Sequence, residues 1–274
     1  DWLMFAEPDL LAAAQHSFPD RLPPNTVNAG HCYEVTTLVL KRVLEPIGVN
    51  LMHGRVLFGA RRIEADYRRE LMQVQRCSER VNGGCPTLIG EFGIPFDLRD
   101  GRAYRAFAAG DHGPRPWRAH VRVLERMYNA LDSLGLSAMQ WNYTAGNRNH
   151  LAIGDGWNQE DLSIFSEDQR TNPGDLDSGG RALDGFVRPY ARFVQGNLRW
   201  MRFDRRKRFF ELGFEANPAL PVPTEIFVPR RQFPSGYQLD APGLVVVDGV
   251  EGEDAQCIRL LAHEKRLMVI RVRG

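Results

Sequence analysis

The stretch Thr87-Leu88-Ile89-Gly90-Glu91-Phe92-Gly93 is an apolar run that ends in a carboxylate between two glycines. A short apolar run bounded by glycine is typical of a buried β-strand. A charge at its end is costly unless it is used or paired, although a structural ion pair is the commoner explanation for a single Glu. The flanking glycines lack side chains, so we expect other groups to approach the Glu91 carboxylate closely.

The sequence on both sides of this strand predicts a parallel sheet. From residue 1 to about residue 185, short apolar runs alternate with amphipathic stretches, as in repeated strand-helix units. The clearest helix is predicted at 121–134, where apolar residues follow three- and four-residue spacing before Gly135. Further strands are predicted at 2–6, 26–30, 87–90 and 137–141, and further helices at 35–44 and 62–76.

The last third of the chain has a different sequence pattern, in which short strand-like runs are separated by Pro, Gly and Asn. This pattern predicts an antiparallel β-sandwich. The runs at 256–262 and 267–272 flank a polar turn, so we expect them to form a hairpin. We therefore predict an α/β domain at 1–185 and an all-β domain at 186–274. Other sandwich strands are predicted at 208–215, 224–228 and 244–247.

Composition excludes several function classes. The chain has 274 residues with 35 basic and 34 acidic side chains, a net charge of +1, so we expect no nucleic-acid partner. No apolar stretch approaches the roughly 18 residues of a membrane span, and we expect a soluble chain of unassigned compartment. The chain begins at Asp1 without Met or a leader, which indicates a processed form or a fragment.

Cofactor and metal motifs are also missing from the sequence. The four cysteines lack CxxC spacing, and there is no glycine-rich phosphate loop or dinucleotide fingerprint. We therefore expect neither a metal nor a cofactor. Cys77 and Cys85 are close enough in sequence to bridge a short loop, but free thiols explain them equally well.

Two other strand ends carry polar and aromatic residues, His31-Cys32-Tyr33 and Trp141-Asn142-Tyr143. The carboxyl ends of barrel strands converge on one face, where sites are built. Because side chains alternate along a strand, His31 and Tyr33 share one side and Cys32 points to the other. This argues against a nucleophile pair of His31 and Cys32. A lone His-x-Tyr is most often simple packing, but three such ends in order favour a site.

Taken in order, these strand ends resemble glycoside hydrolase family 5. The closest resemblance is to its glycolipid-directed branch, the endoglycoceramidase-like and fungal glucosylceramidase or steryl-glucosidase-like enzymes. It implies a retaining β-glycosidase on a (β/α)8 TIM barrel with a small C-terminal antiparallel β-sandwich. The motifs that carry the resemblance are His31-Cys32-Tyr33, 90–97, Trp141-Asn142-Tyr143, 154–164 and Arg188-Pro189-Tyr190.

The resemblance implies a role for each matched residue. Glu91 would be the nucleophile on the seventh barrel strand, with His31 and Tyr33 beside it on the sixth. Trp141, on the eighth strand, would lie under the sugar ring. The expected substrate-binding residues are His31, Tyr33, Trp141, Tyr143, Trp157 and Asn158, although loop packing explains Trp157 and Asn158 almost as well. Cys32 and Glu34 replace the family's usual Trp and Asp, which affects local packing and any aglycone contact.

The general acid is the main departure from the family, whose acid/base lies in Asn-Glu-Pro on the fourth strand. The similar string here is Ala6-Glu7-Pro8, but Glu7 precedes His31 by only 24 residues. That is too short for the helix, strand and helix that would separate the fourth strand from the sixth. Residues 2–6 are therefore predicted to be the fifth strand. The chain would be the second half of the barrel, with the N-terminal half and the acid/base upstream of Asp1.

Two functions follow from this reading. The first is hydrolysis of β-glucosides with lipid aglycones, of the glucosylceramide or steryl glucoside class, through a glycosyl-enzyme on Glu91. The alternative is a non-catalytic carbohydrate- or glycolipid-binding remnant of such an enzyme. The basic and aromatic segment 199–208 is predicted to be a solvated loop; single-stranded nucleic acid and peripheral contact with anionic membrane lipid are weaker alternatives for it.

Overall fold

The computed structural model describes residues 2–8, 19–157, 159–175, 177–251 and 255–274. The chain divides into two compact units. The first comprises Asp1–Leu131 and Leu136–Gly185, and the second comprises Asp132–Gly135 and Phe186–Gly274. Among the described helices, none combines the length and the apolar character needed to cross a lipid bilayer.

A row of four parallel strands forms the centre of the first unit. Strand β1 pairs with β2 and strand β5 pairs with β6, both in parallel register. A parallel bridge between Asn28 and Thr87 joins the two pairs, so the order is β1-β2-β5-β6. Within the described residues the row stays open and does not close into a barrel. The strands are β1 (Met4–Ala6), β2 (Thr26–Asn28), β5 (Leu88–Phe92) and β6 (Ser137–Gln140).

The elements between these strands include a hairpin and a helix that the sequence patterns did not predict. Strands β3 (Ile47–Asn50) and β4 (Arg55–Phe58) form an antiparallel hairpin. Helix α3 (Leu98–Ala108) has left-handed backbone at Arg99, Asp100 and Gly101, so its beginning is not regular α-helix. The other helices are α1 (Val35–Leu40), α2 (Ala60–Arg80) and α4 (Arg118–Leu134).

The long helices α2 and α4 bury one apolar stripe each, as their spacing predicts. Helix α4 buries Val121, Leu124 and Leu131, which recur at the spacing of one helix face. Helix α1 is shorter than predicted. It ends at Leu40 because Lys41 adopts a left-handed conformation, with φ of 47°.

Two four-stranded antiparallel sheets build the second unit around one apolar core. One sheet has the order β12-β13-β10-β7 and the other β11-β14-β9-β8. Fully buried side chains such as Phe210, Phe214, Leu260 and Ile270 fill the core. The strands are β7 (Tyr190–Phe193), β8 (Gly196–Asp204), β9 (Phe209–Ala216), β10 (Thr224–Pro229), β11 (Gln238–Asp240), β12 (Leu244–Glu251), β13 (Ala255–Ala262) and β14 (Leu267–Arg273).

The predicted hairpin of 256–262 with 267–272 is wrong. Strand β13 pairs with β10 and β12, whereas β14 pairs with β9 and β11. The polar turn between them therefore crosses from one sheet to the other. Both strands bury alternate side chains, Leu260 from β13 and Ile270 from β14 among them, in the same core. Two strands that face one core from opposite sides cannot pair with each other.

The solvated loop predicted at 199–208 is also wrong, because most of the segment is strand β8. Its indole Trp200 covers Gly213, where a Cβ atom would lie 2.3 Å from the ring. Arg199 pairs with Glu215 at 2.6 Å and Arg202 with Glu211 at 2.9 Å, both partners being on the neighbouring strand β9. These ion pairs neutralise two of the basic residues that made the segment resemble a polyanion-binding loop.

All four cysteines are free thiols. Of the two alternatives left open for Cys77 and Cys85, the structure therefore has the unbridged one. Cys77 is buried with Val81, and the half-buried Cys85 packs against both. These thiols contribute apolar contacts at the C-terminal end of α2.

Candidate active site

Glu91 is the residue around which the polar groups of the first unit gather. It lies one residue before the end of β5, and its side chain is 25% exposed. The Tyr33 hydroxyl donates a hydrogen bond of 2.8 Å to Oε2 of Glu91, and Nδ1 of His31 lies 3.2 Å from the same oxygen. Among the described residues no group donates to the other carboxylate oxygen. One oxygen is therefore held by the protein while the other is available to a ligand.

Backbone pairing between β2 and β5 places these three residues. Gly90 N donates to Gly30 O at 3.0 Å, and Cys32 N donates to Glu91 O at 2.9 Å. The side chains alternate, so His31 and Tyr33 both reach Glu91 while the Cys32 side chain is buried on the other side. There Tyr67 of α2 donates to the Cys32 carbonyl at 2.9 Å.

The Cys32 thiol is unsuited to nucleophilic work. Burial, with a smaller contribution from the Glu70 charge, raises the pKa of Cys32 well above its usual range. The thiolate is the reactive form of cysteine, and here it is strongly disfavoured. The arrangement agrees with the alternation of the strand, which had already argued against a nucleophile pair with His31.

The glycines on either side of Glu91, Gly90 and Gly93, lie in close contact with neighbouring backbone carbonyls. A Cβ atom at Gly90 would lie 2.4 Å from Ala29 O, and one at Gly93 would lie 2.3 Å from Trp141 O. Glycine at these two positions lets the neighbouring strands approach β5 closely. Other groups do approach the Glu91 carboxylate closely, as expected: the Tyr33 hydroxyl lies 2.8 Å and Nδ1 of His31 3.2 Å from its Oε2 atom.

Trp141 follows β6 and lies beside the end of β5. Its backbone N donates to Phe92 O at 2.8 Å, which places it next to the residue that follows Glu91. Its side chain is half-buried, and its peptide bond to Asn142 is cis. The Asn142 amide donates to Asp155 at 2.8 Å and thereby ties this strand end to the loop that follows.

Two further predicted binding residues, Tyr143 and Trp157, are exposed. Tyr143 is exposed, and its ring packs at a tilt against Phe165, with the centroids 5.5 Å apart. Trp157 is also exposed, and its backbone N donates to Asp155 at 3.2 Å. No contact joins either residue to Glu91 within the described residues. Asn158 lies outside the described residues.

The electrostatic setting of Tyr33 is acidic. Burial raises its pKa well above the usual range, and the hydrogen bond to Glu91 and the charges of Glu91, Glu160 and Asp155 raise it further. The phenol therefore stays protonated and keeps donating to Glu91. Burial also raises the pKa of Glu160, with Asp155 adding to the effect. Glu160 and Asp155 were missed as site residues, and the acidic run at 155–161 was their only signal in the sequence.

A buried ion pair anchors the loop that follows β6. Arg181 is fully buried and reaches both carboxylate oxygens of Asp161, at 2.5 and 2.8 Å. Its guanidinium lies 4.6 Å from the ring centroid of Phe96, and Asp161 O accepts a hydrogen bond from Phe96 N. Phe96 belongs to the segment that leads away from β5, so the pair connects that segment to the loop. Nothing in the local sequence distinguished Arg181 from a surface arginine.

Glu7, which was rejected as the acid on spacing, lies beside the site. Its Oε1 atom is 3.1 Å from Nε2 of His31, on the opposite side of the ring from Glu91. Parallel pairing of β1 with β2 brings the two strand ends together. Among the described residues no group of three or more His, Cys, Asp and Glu side chains is arranged to hold a metal ion.

Comparison with known proteins relates the second unit to a family. Residues 188–272 match the family model described as the glycoside hydrolase family 5 C-terminal domain. This part of the chain is therefore similar to a family 5 C-terminal domain. The resemblance to glycoside hydrolase family 5 is thereby confirmed.

Related proteins are similar to the chain over more than that domain. The chain is 30% identical over 251 residues to a glucosylceramidase of Cryptococcus neoformans, covering 82% of this chain and 32% of that protein. It is 26% identical over 278 residues to an ergosteryl-beta-glucosidase of Saccharomyces cerevisiae, covering 77% and 35%. The chain thus spans about a third of the length of these curated relatives. The matches support its assignment to the glycosyl hydrolases.

Solved structures share the fold across nearly the whole chain. A Cryptococcus neoformans sterylglucosidase 1 superposes with a TM-score of 0.78 at 22% identity, covering 99% of this chain and 41% of that chain. Endo-glycoceramidase II from Rhodococcus sp., in a ganglioside GM3 complex, gives 0.59 at 15% identity, covering 100% and 50%. Both units of this chain therefore have counterparts of the same fold in larger proteins of known structure.

Proposed function

We propose that this chain supplies the nucleophile of a retaining β-glycosidase, and that Glu91 is that nucleophile. The observation that carries the proposal is the set of contacts that Glu91 makes. Its Oε2 atom accepts a hydrogen bond from the Tyr33 hydroxyl and lies 3.2 Å from Nδ1 of His31. An oriented carboxylate with one free oxygen is what attack on an anomeric carbon requires.

The reaction follows from these groups in two steps. In the first, the free oxygen of Glu91 bonds to the anomeric carbon as the bond to the aglycone oxygen breaks, and an acid protonates that oxygen. In the second, the conjugate base of that acid takes a proton from a water molecule, which displaces Glu91, and the two inversions together retain the anomeric configuration. Tyr33 keeps its proton throughout, since the pKa of its phenol is raised well above neutral pH, and it orients the carboxylate.

We infer that no described residue of this chain is the general acid/base of the proposed enzyme. Retaining glycosidases need a second carboxyl about 5 Å from the nucleophile, and the imidazole of His31 stands between Glu7 and Glu91. We therefore infer that the four-stranded row is the second half of a (β/α)8 barrel. Its outer strands carry apolar side chains that are more than half exposed, Phe5 on β1 and Met139 on β6, as expected of strands with missing neighbours.

The proposed substrates are β-glucosides with lipid aglycones, of the ceramide or sterol class. The names of the related glucosylceramidase and ergosteryl-beta-glucosidase support this class. In this proposal Trp141 forms the apolar floor of the sugar subsite. Tyr143, Trp157 and Asn158 belong to the rim, where a lipid aglycone would leave the site.

Chemical rescue tests the nucleophile in the protein that contains the complete barrel. Glu91→Ala should lose nearly all turnover of an aryl β-glucoside with a good leaving group. Azide should restore turnover and yield the α-glucosyl azide, because the small anion occupies the space of the missing carboxylate. A Glu91→Ala variant that keeps wild-type turnover would overturn the proposal. A folded wild type that binds glucosides without hydrolysing them would favour the carbohydrate-binding alternative.

A further inference from the structure

The hairpin of β3 and β4 turns an apolar face to solvent. Because Ile47 pairs with Phe58 and Val49 pairs with Val56, these four side chains lie on the same face of the hairpin. Ile47, Val56 and Phe58 are 49%, 57% and 59% exposed. An antiparallel hairpin that packs on one face normally carries polar residues on the other. We call this exposed surface the hairpin face.

The opposite face of the hairpin is the one that packs on the protein. Gly48 belongs to that face, and a Cβ atom there would lie 2.8 Å from Ile63 of α2. The hairpin is therefore apolar on both sides, although only one side is needed to hold it on α2. Two more exposed apolar residues, Leu51 and Met52, form the turn between the strands. Exposed apolar surface of this kind marks an interaction site.

Basic residues are concentrated in the same part of the chain. Segment 41–62 has five basic residues and one acidic residue, whereas the whole chain has a net charge of +1. Arg61 and Arg62 are exposed at the start of α2, directly after the end of β4. Neither forms an ion pair with any residue that the structure describes. Their charges are therefore uncompensated beside the hairpin face.

Two further arginines border the hairpin face on its β3 side. Arg42 and Arg99 line an open groove together with Ile47. Glu45 also lines this groove, but its carboxylate is paired with two arginines of α4, at 2.7 and 3.4 Å. In the described parts of the chain neither Arg42 nor Arg99 has an acidic partner. The groove therefore presents positive charge next to an apolar side chain.

We propose that the hairpin face, with the four arginines that border it, binds the surface of a lipid bilayer that contains anionic lipid. Apolar side chains enter the boundary between headgroups and acyl chains, and arginines bind the phosphates of the headgroups. The hairpin lies in the connection between β2 and β5, the inner strands of the row. Further barrel strands would join the outer strands β1 and β6, so we expect the hairpin face to stay accessible in the complete barrel.

Binding to vesicles tests this inference without any catalytic turnover. The protein with the complete barrel should co-sediment with vesicles of equal parts phosphatidylcholine and phosphatidylserine. It should bind vesicles of phosphatidylcholine alone more weakly, and added salt should weaken the binding to phosphatidylserine. Val56→Thr/Phe58→Thr keeps residues that favour strands and should weaken binding by about tenfold or more. Arg61→Gln/Arg62→Gln should weaken binding by about tenfold or more.

Matched control variants separate this surface from general charge and apolar content. Arg76→Gln/Arg80→Gln removes the same two charges from the other end of α2, roughly 20 Å away along the helix. Val245→Thr/Val246→Thr removes exposed apolar side chains from β12 in the second unit. Both controls should bind vesicles as the wild type does. Circular dichroism and urea midpoints should show that all four variants fold as the wild type does.

Three results would overturn the inference. In the first, the wild type does not bind vesicles that contain phosphatidylserine. In the second, folded variants of the hairpin face bind as tightly as the wild type. In the third, sedimentation velocity shows a wild-type dimer that Val56→Thr/Phe58→Thr converts to a monomer, which would assign the face to a second copy of the chain.

Hydrolysis assays keep this inference separate from the proposed function. Val56→Thr/Phe58→Thr should slow the hydrolysis of glucosylceramide in phosphatidylserine vesicles and leave the turnover of a soluble aryl β-glucoside unchanged. Equal rates of both reactions in this variant and the wild type would count against membrane binding by the hairpin face. If the wild type hydrolyses neither substrate, the proposed function fails, whereas vesicle binding still decides whether the hairpin face binds a bilayer.

Discussion

Removal of the buried arginine at position 181 should destabilise the first unit severely. Arg181→Met keeps an unbranched apolar stem but is shorter, and it deletes the charge and the donors of the guanidinium. Asp161 is 2% exposed and would lose both of its short contacts to the guanidinium. It would keep only the hydroxyl of Tyr104 and the amide of Asn147, the latter at 3.2 Å.

The expected loss is large because an unpaired charge remains buried. Breaking one partner of a buried ion pair costs about 3 to 5 kcal/mol. Two donors to Asp161 survive, so we expect about 3 kcal/mol. The matched control is Arg148→Met, which breaks an exposed pair with Asp168 at 3.0 Å and should cost about 0 to 1 kcal/mol.

Urea unfolding followed by tryptophan fluorescence measures the difference between these two variants. Trp117 is a local reporter, because its ring centroid lies 6.0 Å from the Arg181 guanidinium. The double variant Arg181→Met/Asp161→Leu removes the stranded charge and should recover part of the loss. Equal and small losses in Arg181→Met and Arg148→Met would refute the claim that this pair anchors the loop.

Three further predictions concern the site and its surroundings. Tyr33→Phe removes the 2.8 Å hydrogen bond to Glu91 and should lower kcat/KM for aryl β-glucosides by about tenfold or more, with circular dichroism unchanged. Gly90→Ala should cost about 1 to 3 kcal/mol in urea unfolding, since its Cβ would lie 2.4 Å from Ala29 O; an unchanged midpoint would contradict this. Burial raises the pKa of Glu70 to about 7, so the folded chain binds a proton that the unfolded chain releases, and stability should fall as pH rises from about 4.5 to 7. Glu70→Gln should weaken that dependence, as measured by urea midpoints at pH 5 and pH 8, and the raised pKa of Asp132 should leave part of it.

The parallel strands and the residues at their ends could be predicted from local sequence. Each strand is a short apolar run with its own boundaries, and the alternation of side chains placed His31 and Tyr33 on one side. Because parallel strand ends meet at one edge, the three motifs predicted one cluster, and the structure brings His31, Tyr33 and Glu91 within hydrogen-bonding distance.

Pairing between distant strands was beyond the reach of the same patterns. Strands β13 and β14 have the local signature of a hairpin, but each completes a different sheet. That choice depends on which distant strands bury their apolar faces on the same core, which no local pattern encodes. Segment 199–208 was misread for a related reason: two of its arginines, Arg199 and Arg202, are paired with acidic residues on β9, a strand that follows it in sequence.

Charged residues were the hardest to place. Arg181 is the largest fully buried side chain of the described residues, yet a single arginine in a loop predicts solvent exposure. Glu7 was weighed as a general acid and rejected on spacing alone. Sequence spacing does not reveal that β1 pairs directly with β2, which is what brings Glu7 to the ring of His31.

Covalent labelling tests the role of Glu91 most directly. A 2-deoxy-2-fluoro β-glucoside with a good leaving group needs little acid assistance and turns over slowly once it is attached to a nucleophile. We expect mass spectrometry of the protein with the complete barrel to show one fluoroglucosyl adduct, located by peptide mapping on Glu91 and missing from Glu91→Gln. A folded protein that gains no adduct, or that carries it on another residue, would contradict the assignment of Glu91 as the nucleophile.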